Sequence, residues 1–216
     1  MALKNKDFIE IEFTARVKDG EIFDSNIKED LKKLNPEATS KPFIFPLGQT
    51  MFLKGVEDYL IGKEIGKHKI ELTPENAFGK RDSKLVQRMP MRVFREHNLN
   101  PIPGISFNFD GKMGKVLAAS GGRVIVDFNN PIAGKEVIYE VNIKRKIDNQ
   151  KEQISSFIEF LFKKELKFEV KEKKITISVE KQMTKFVELF ADKFKEIFKL
   201  DLSVKELEEK SPKKSQ

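Results

Sequence analysis

Apolar and aromatic side chains concentrate between Lys41 and Gly62, K-P-F-I-F-P-L-G-Q-T-M-F-L-K-G-V-E-D-Y-L-I-G, where Phe43, Phe45 and the run Met51-Phe52-Leu53 precede a short helix-like segment. That density suits the lining of an apolar pocket better than an ordinary strand. Other reactive groups are scarce. The sequence has no Cys, hence no thiolate nucleophile, disulfide framework or Cys-based metal site. Its two His, His68 and His97, are too few for an all-His metal cluster. We expect neither a metal nor a cofactor, and what the pocket holds depends on the elements around it.

At 216 residues the chain can bury a sizeable core and has room for more than one domain. Its apolar runs are a few residues long, against the roughly 18 needed to span a bilayer. Met-Ala-Leu-Lys-Asn-Lys opens straight into a strand pattern without the apolar core of a secretory signal, so a cytoplasmic location is the expectation. The 41 basic and 34 acidic residues give a net charge of +7 but are interspersed. Without a helix-turn-helix, zinc-finger or RNA-binding motif beside them, they read as a solvated surface, with no nucleic acid and no membrane as partner. Residues 208–216 read as a flexible basic tail.

Residues 8–17 alternate, with Ile9, Ile11, Phe13, Ala15 and Val17 on one face, which predicts a half-buried strand. Lys18-Asp19-Gly20 supplies a turn, so Phe13 and Asp24 fall on neighbouring hairpin strands. Asp24-Ser25-Asn26 on its own fits a turn or a helix cap. A helical turn is expected over Glu29–Leu34 and a strand over Lys67–Thr73. Pro74 and Gly79 then bracket a loop with Phe78 at its tip, unusual unless the ring covers something. Residues 84–129 look like a separate β-rich unit, its hairpins marked by Asp110-Gly111 and Gly121-Gly122. Its Met-bearing apolar residues suit either adaptable binding or an ordinary small core. Residues 137–147 form a last long strand.

Beyond Asp148 the periodicity changes to helix, hairpin, helix. Ile154, Phe157, Ile158 and Leu161 follow helical spacing, 168–179 alternate, and Met183, Phe186, Val187, Phe190, Phe194 and Ile197 return to helical spacing. Ser203–Glu206 fits a capping box for a further short helix. A unit this small buries its Phe stripes poorly alone, and Phe160 and Phe162 widen the apolar face of the first helix. Homodimerisation through this unit is therefore expected, with docking onto the chain's own first domain as the alternative.

Taken together, four spaced motifs resemble the FKBP-type peptidyl-prolyl cis/trans isomerases, in particular the SlyD-like subfamily with an insert-in-flap domain. They are F-T-A-R-V-K-D-G-E-I-F-D-S at 13–25, K-P-F-I-F-P-L-G with M-F-L-K-G-V-E at 41–57, N-A-F-G at 76–79 and Y-E-V at 139–141. L-V-Q-R-M-P at 85–90 resembles the start of the inserted domain. The resemblance implies an α+β fold: an antiparallel sheet wrapped on a short helix over residues 1–83 and 130–148, with a β-rich chaperone insert at 84–129. A C-terminal α-β-β-α unit at 149–207 would be additional. It implies a prolyl pocket lined by Phe13, Asp24, Phe43, Phe52, Leu53, Val56, Phe78 and Tyr139, with the Leu53 N–H binding a substrate carbonyl. Val56 replaces a common Trp, and Phe13 and Phe78 replace Tyr. Clients, meaning unfolded or proline-containing polypeptides, would contact Val86, Met89, Met91, Val93, Phe94 and Phe107. The competing reading is a holdase or peptide-binding module with a vestigial pocket.

Overall fold

The computed structural model describes residues 2–207; the expected basic tail lies outside them. Strand β1 (Phe8–Val17) is the backbone of the first sheet. Its second half pairs antiparallel with β2 (Ile22–Ser25), Thr14 opposite Ser25. After α1 (Lys28–Leu34), β3 (Phe43–Pro46) pairs with its first half, Ile11 opposite Phe43. The short helix α2 (Lys54–Leu60) buries Val56, Glu57 and Leu60, and β4 (Gly66–Leu72) follows.

The chain then leaves this sheet. β5 (Val86–Pro90), α3 (Met91–Glu96), β6 (Ser106–Phe109), β7 (Lys112–Ser120) and β8 (Arg123–Asp127) build a second antiparallel sheet in the order β5-β8-β7-β6. β9 (Val137–Lys146) returns to lie between β1 and β4. The tight turn at Asp110-Gly111, both at positive φ, joins β6 to β7 as the dipeptide predicted. Helix α3 starts directly after Pro90, whose fixed φ and extended ψ close β5 at the helix N-cap. Asn129 ties the two crossings together. Its Oδ1 accepts from the Asp82 N–H at 2.8 Å and its Nδ2 donates to the Asp82 carbonyl at 3.0 Å.

The remaining residues form α4 (Gln150–Phe162), β10 (Lys167–Lys171), β11 (Lys174–Val179), α5 (Thr184–Glu188), α6 (Ala191–Phe198) and β12 (Asp201–Glu206). Asn149 caps α4, accepting from the Glu152 N–H at 3.0 Å. Two expectations are corrected here. The helical stripe over 183–197 is interrupted between α5 and α6, leaving Leu189 78 % exposed. The Ser203–Glu206 capping box is not a helix but β12, parallel to β11 with Val204 opposite Ile177. A parallel neighbour requires a crossover, and α5 and α6 supply it. Leu202 and Val204 then continue the alternation that buries Ile175 and Ile177. The C-terminal unit is accordingly a three-stranded mixed sheet covered by helices.

Phe157, Ile158 and Phe162 of α4 enter the same core as Phe8 and Ile147 from the first sheet, with Phe8 and Phe198 ring centroids 5.5 Å apart. Phe160 lies 6.2 Å from Phe43. Part of the apolar surface of α4 is thus covered by the chain's own first domain, while Phe162 meets Phe186 and Phe190 of the C-terminal unit at 5.8 and 5.3 Å. Among the described residues, no helix is long and apolar enough to cross a membrane.

Candidate active site

The site begins where β1 changes partners. β3 pairs with it up to Ile11 and β2 takes over at Thr14, so the polar backbone groups between them would be orphaned. Asn26 resolves this: its Oδ1 accepts from the Phe13 N–H at 2.7 Å, and its Nδ2 donates to the Ile11 carbonyl at 2.8 Å. The Ser25 hydroxyl donates to the Phe13 carbonyl at 2.9 Å. The Asp24-Ser25-Asn26 tripeptide is therefore a strand end that clamps Phe13 in place and leaves Asp24 at the rim.

Around Phe13 the aromatic rings interlock. Its centroid is 4.8 Å from Phe52, 6.1 Å from Phe43 and 6.2 Å from Tyr139. Phe52 meets Tyr139 edge-on at 5.6 Å and Phe43 at 5.3 Å. Such tilted and edge-to-face pairs each add on the order of 1 kcal/mol beyond the area they bury. Phe78 belongs to the opposite side of the cluster, edge-on to Phe23 at 5.6 Å, and Phe23 meets Tyr139 at 6.0 Å.

The loop bearing Phe78 is held by the Gly79 N–H donating to the Pro74 carbonyl at 2.7 Å, by Gly134 donating to the Gly79 carbonyl at 2.8 Å, and by a Lys80–Glu75 ion pair at 2.9 Å. Lys80, the Glu75 N–H and Thr73 together hold the Glu75 carboxyl down at about 2. Gly55 lets α2 come close beneath this loop, since a Cβ there would stand 2.3 Å from the Asn76 carbonyl oxygen.

Val56 is fully buried under the rings. Leu53 sits just before α2 with extended backbone, and its N–H has no acceptor among the described residues. The preceding turn is organised by Glu57, 1 % exposed. Its carboxylate accepts from the backbone N–H groups of Gln49, Thr50 and Phe52 at 2.9, 3.1 and 2.6 Å. Asp24 is exposed at the edge, yet the hydrocarbon around it raises its carboxyl above the usual aspartate range, with the Ser25 N–H working the other way. Burial also pushes the Tyr139 hydroxyl up, and the Asp24 charge adds to that.

Of the expected site residues, Phe13, Asp24, Phe43 and Phe52 line one open groove of about 980 Å³. Val56 and Tyr139 are buried beneath the rim, with Leu53 and Phe78 packed against the same core. The sequence reading missed Phe23 and Glu57. Phe23 lay inside the hairpin motif, one residue before Asp24, and for Glu57 the available signal was its place next to Val56 and three residues before Leu60, on the face of α2 that the apolar residues bury.

In the insert, Phe94 lies at the centre. It is fully buried, edge-on to Phe107 and Phe109 at 5.9 and 5.7 Å, and so forms part of the unit's core. Met89, Met91, Val93 and Phe107 are half-buried against that core, and Val86 is half-buried at the start of β5. The exposed apolar residues are others. Met113, 58 % exposed, and Leu117 border a groove of about 400 Å³ that also touches Arg81, Asn129 and Pro131.

Comparison with known proteins gives one direction. A family model described as FKBP-type peptidyl-prolyl cis-trans isomerase matches residues 1–94, and one described as FKBP26, IF domain matches residues 87–132. A probable FKBP-type 16 kDa peptidyl-prolyl cis-trans isomerase of Pseudomonas fluorescens is 30% identical over 139 residues, 62% of this chain and 85% of that protein. A short-type peptidyl-prolyl cis-trans isomerase of Methanocaldococcus jannaschii is 29% identical over 146 residues, 66% of this chain and 92% of the relative. The SlyD isomerase of Pasteurella multocida is 25% identical over 148 residues, 66% and 68% of the two chains.

Proposed function

The chain belongs to the FKBP-type peptidyl-prolyl cis-trans isomerases that carry an insert-in-flap domain, and on that premise we propose that rotation about X-Pro bonds takes place against the Phe13, Phe43 and Phe52 rings while the insert holds unfolded clients. The observation that carries the site is the juxtaposition of an aromatic groove, the rim carboxylate of Asp24 and the unengaged N–H of Leu53.

No covalent bond need break in this reaction. Amide resonance opposes rotation with a barrier near 20 kcal/mol, and the uncatalysed process takes roughly 10 to 100 s. At the twisted transition state that resonance is lost and the amide is less dipolar than either planar isomer. An apolar, water-poor surface therefore disfavours the ground states relative to the transition state. The Leu53 N–H would fix a carbonyl on one side of the bond while the rings hold the prolyl ring. Asp24 would place a carboxylate at the edge of the rotating carbonyl. Phe23 shapes this cluster by bridging Phe78 and Tyr139. Protease-coupled turnover of an Ala-Leu-Pro-Phe type peptide by the full chain tests the assignment. Asp24→Ala and Phe78→Ala should each lower kcat/KM about tenfold, a loss of roughly 1.4 kcal/mol. Wild-type turnover at the uncatalysed rate would favour the vestigial-pocket reading instead.

Client binding by the insert finds its support in the exposed Met113 and Leu117 beside the linker, with Met offering an adaptable apolar surface. Removing residues 84–128 should weaken refolding of a whole proline-limited protein far more than peptide turnover. A homodimer through the C-terminal unit rests on exposed Phe186 and Leu189, and sedimentation of the full chain tests it. A cytoplasmic setting, expected from the sequence, completes the proposal.

A further inference from the structure

We propose that α4 forms the second wall of the substrate groove and that Phe160 is a specificity-determining residue, gripping apolar polypeptide that flanks the proline. The inference rests on the prolyl-site assignment above and extends it into the C-terminal unit. The groove that starts at Phe13, Asp24 and Phe52 does not stop at the first sheet. It continues without a break to Ser156, Phe160 and Lys163 of α4 and its end.

Its volume, about 980 Å³, lies at the upper end for a small-molecule site and is more than one prolyl ring requires, leaving room for neighbouring residues of an extended chain. Leu31, Ala38, Pro42, Ile44 and Met51 line the same space inside a charged rim of Lys41, Glu159, Lys163 and Glu165, so it suits apolar side chains of a polypeptide whose backbone stays near the polar edge. The wall is preorganised. Phe160 is half-buried and 6.2 Å from Phe43, Lys163 covers its ring at 4.5 Å, and Lys41 of the rim is paired with Glu159 at 2.7 Å. On its other face α4 is fixed by Phe157, which meets Phe194 and Phe198 at 5.3 and 5.4 Å. A rigid wall lowers the ordering cost of capturing a flexible peptide.

The test uses the full chain with a proline tetrapeptide and a decapeptide carrying apolar residues on both sides of the proline. Phe160→Ala should lower the ratio of decapeptide to tetrapeptide kcat/KM roughly fivefold through a raised decapeptide KM, while Phe160→Leu restores much of it. An unchanged ratio, or a loss confined to kcat, overturns the proposal. Melting midpoints of both variants separate this from misfolding. Phe52→Ala run in parallel should reduce turnover of both peptides. If it does not, the prolyl-site assignment fails, whereas failure of the groove appears only in the Phe160 ratio.

Discussion

Two carboxylates in the site have opposite surroundings. Asp24 stands at the rim with hydrocarbon around it, so its protonation midpoint lies above the usual aspartate range. If its charged form assists rotation, activity is full above that midpoint and falls as pH drops through it, at a pH higher than an ordinary aspartate would give. Asp24→Asn, measured across the same acid range with a peptide assay that needs no protease, should have a low and nearly flat profile. An acid limb identical to wild type would remove Asp24 from the mechanism. Glu57, by contrast, is buried and satisfied by the Gln49, Thr50 and Phe52 N–H groups. Each bond to a charged acceptor is worth about 1.5 to 3 kcal/mol, and removing the acceptor strands the donors. Glu57→Ala should therefore cost about 3 to 5 kcal/mol in chemical denaturation. Glu57→Gln keeps one carbonyl oxygen and should cost less, with reduced turnover in both because Phe52 and Leu53 lose their fixed turn. At this scale the sequence displayed the rings well, since their types and order are visible without a structure. It did not display that Asn26 satisfies Phe13 and Ile11 where β1 changes partners, or that Glu57 folds back on the N–H groups of the turn before α2, because which backbone groups are left unpaired depends on the folded path of the chain.

At the scale of elements, the approach of α2 to the Phe78 loop depends on Gly55. In Gly55→Ala the new methyl would collide with the Asn76 carbonyl, which is backbone and cannot swing away, and would press on the Leu72 side chain at 3.1 Å. Alanine ordinarily favours a helix by about 1 kcal/mol over glycine. Here we expect the reverse sign: a loss of stability of about 1 to 3 kcal/mol and a larger loss of turnover, as the loop carrying Phe78 is displaced. A stabilised, fully active variant would mean that the loop shifts freely. Most strands of the first two sheets were legible from alternation and Gly turns, which are local signals, but β3 lay hidden in the stretch read as pocket lining and β5 carried no alternation. β12 was not legible either, since Ser203 to Glu206 satisfies a local helix-start pattern and only pairing with β11, a long-range contact, overrides it. Likewise the break after Glu188 leaves helical spacing of the Phe residues intact on both sides, so periodicity alone joins α5 to α6.

For the whole molecule, the distribution of cores sets the cooperativity. The insert has its own cluster around Phe94, Val116, Val124 and Val126 and is joined through two adjacent chain crossings stitched by Asn129. The first sheet and the C-terminal unit are interlocked, because Phe8 and Ile147 sit in the C-terminal core and Met51 packs against both clusters. Ion pairs also cross that junction, Arg145 with Glu152 and Lys6 with Glu196, but exposed pairs contribute only about 0 to 1 kcal/mol each. The apolar side chains decide the coupling, since burying one stabilises by about 1.5 to 3 kcal/mol. Calorimetry of the full chain should therefore resolve two transitions, a small one for the insert and a large one in which the first and third sheets melt together. Phe8→Ala should lower the large transition by about 6 to 15 °C, from a loss of about 3 to 5 kcal/mol in a body of this size. The small transition should stay where it is. Were the C-terminal unit energetically separate, the same substitution would split the large transition in two, and α4 would then be a wall that can lift away from the groove.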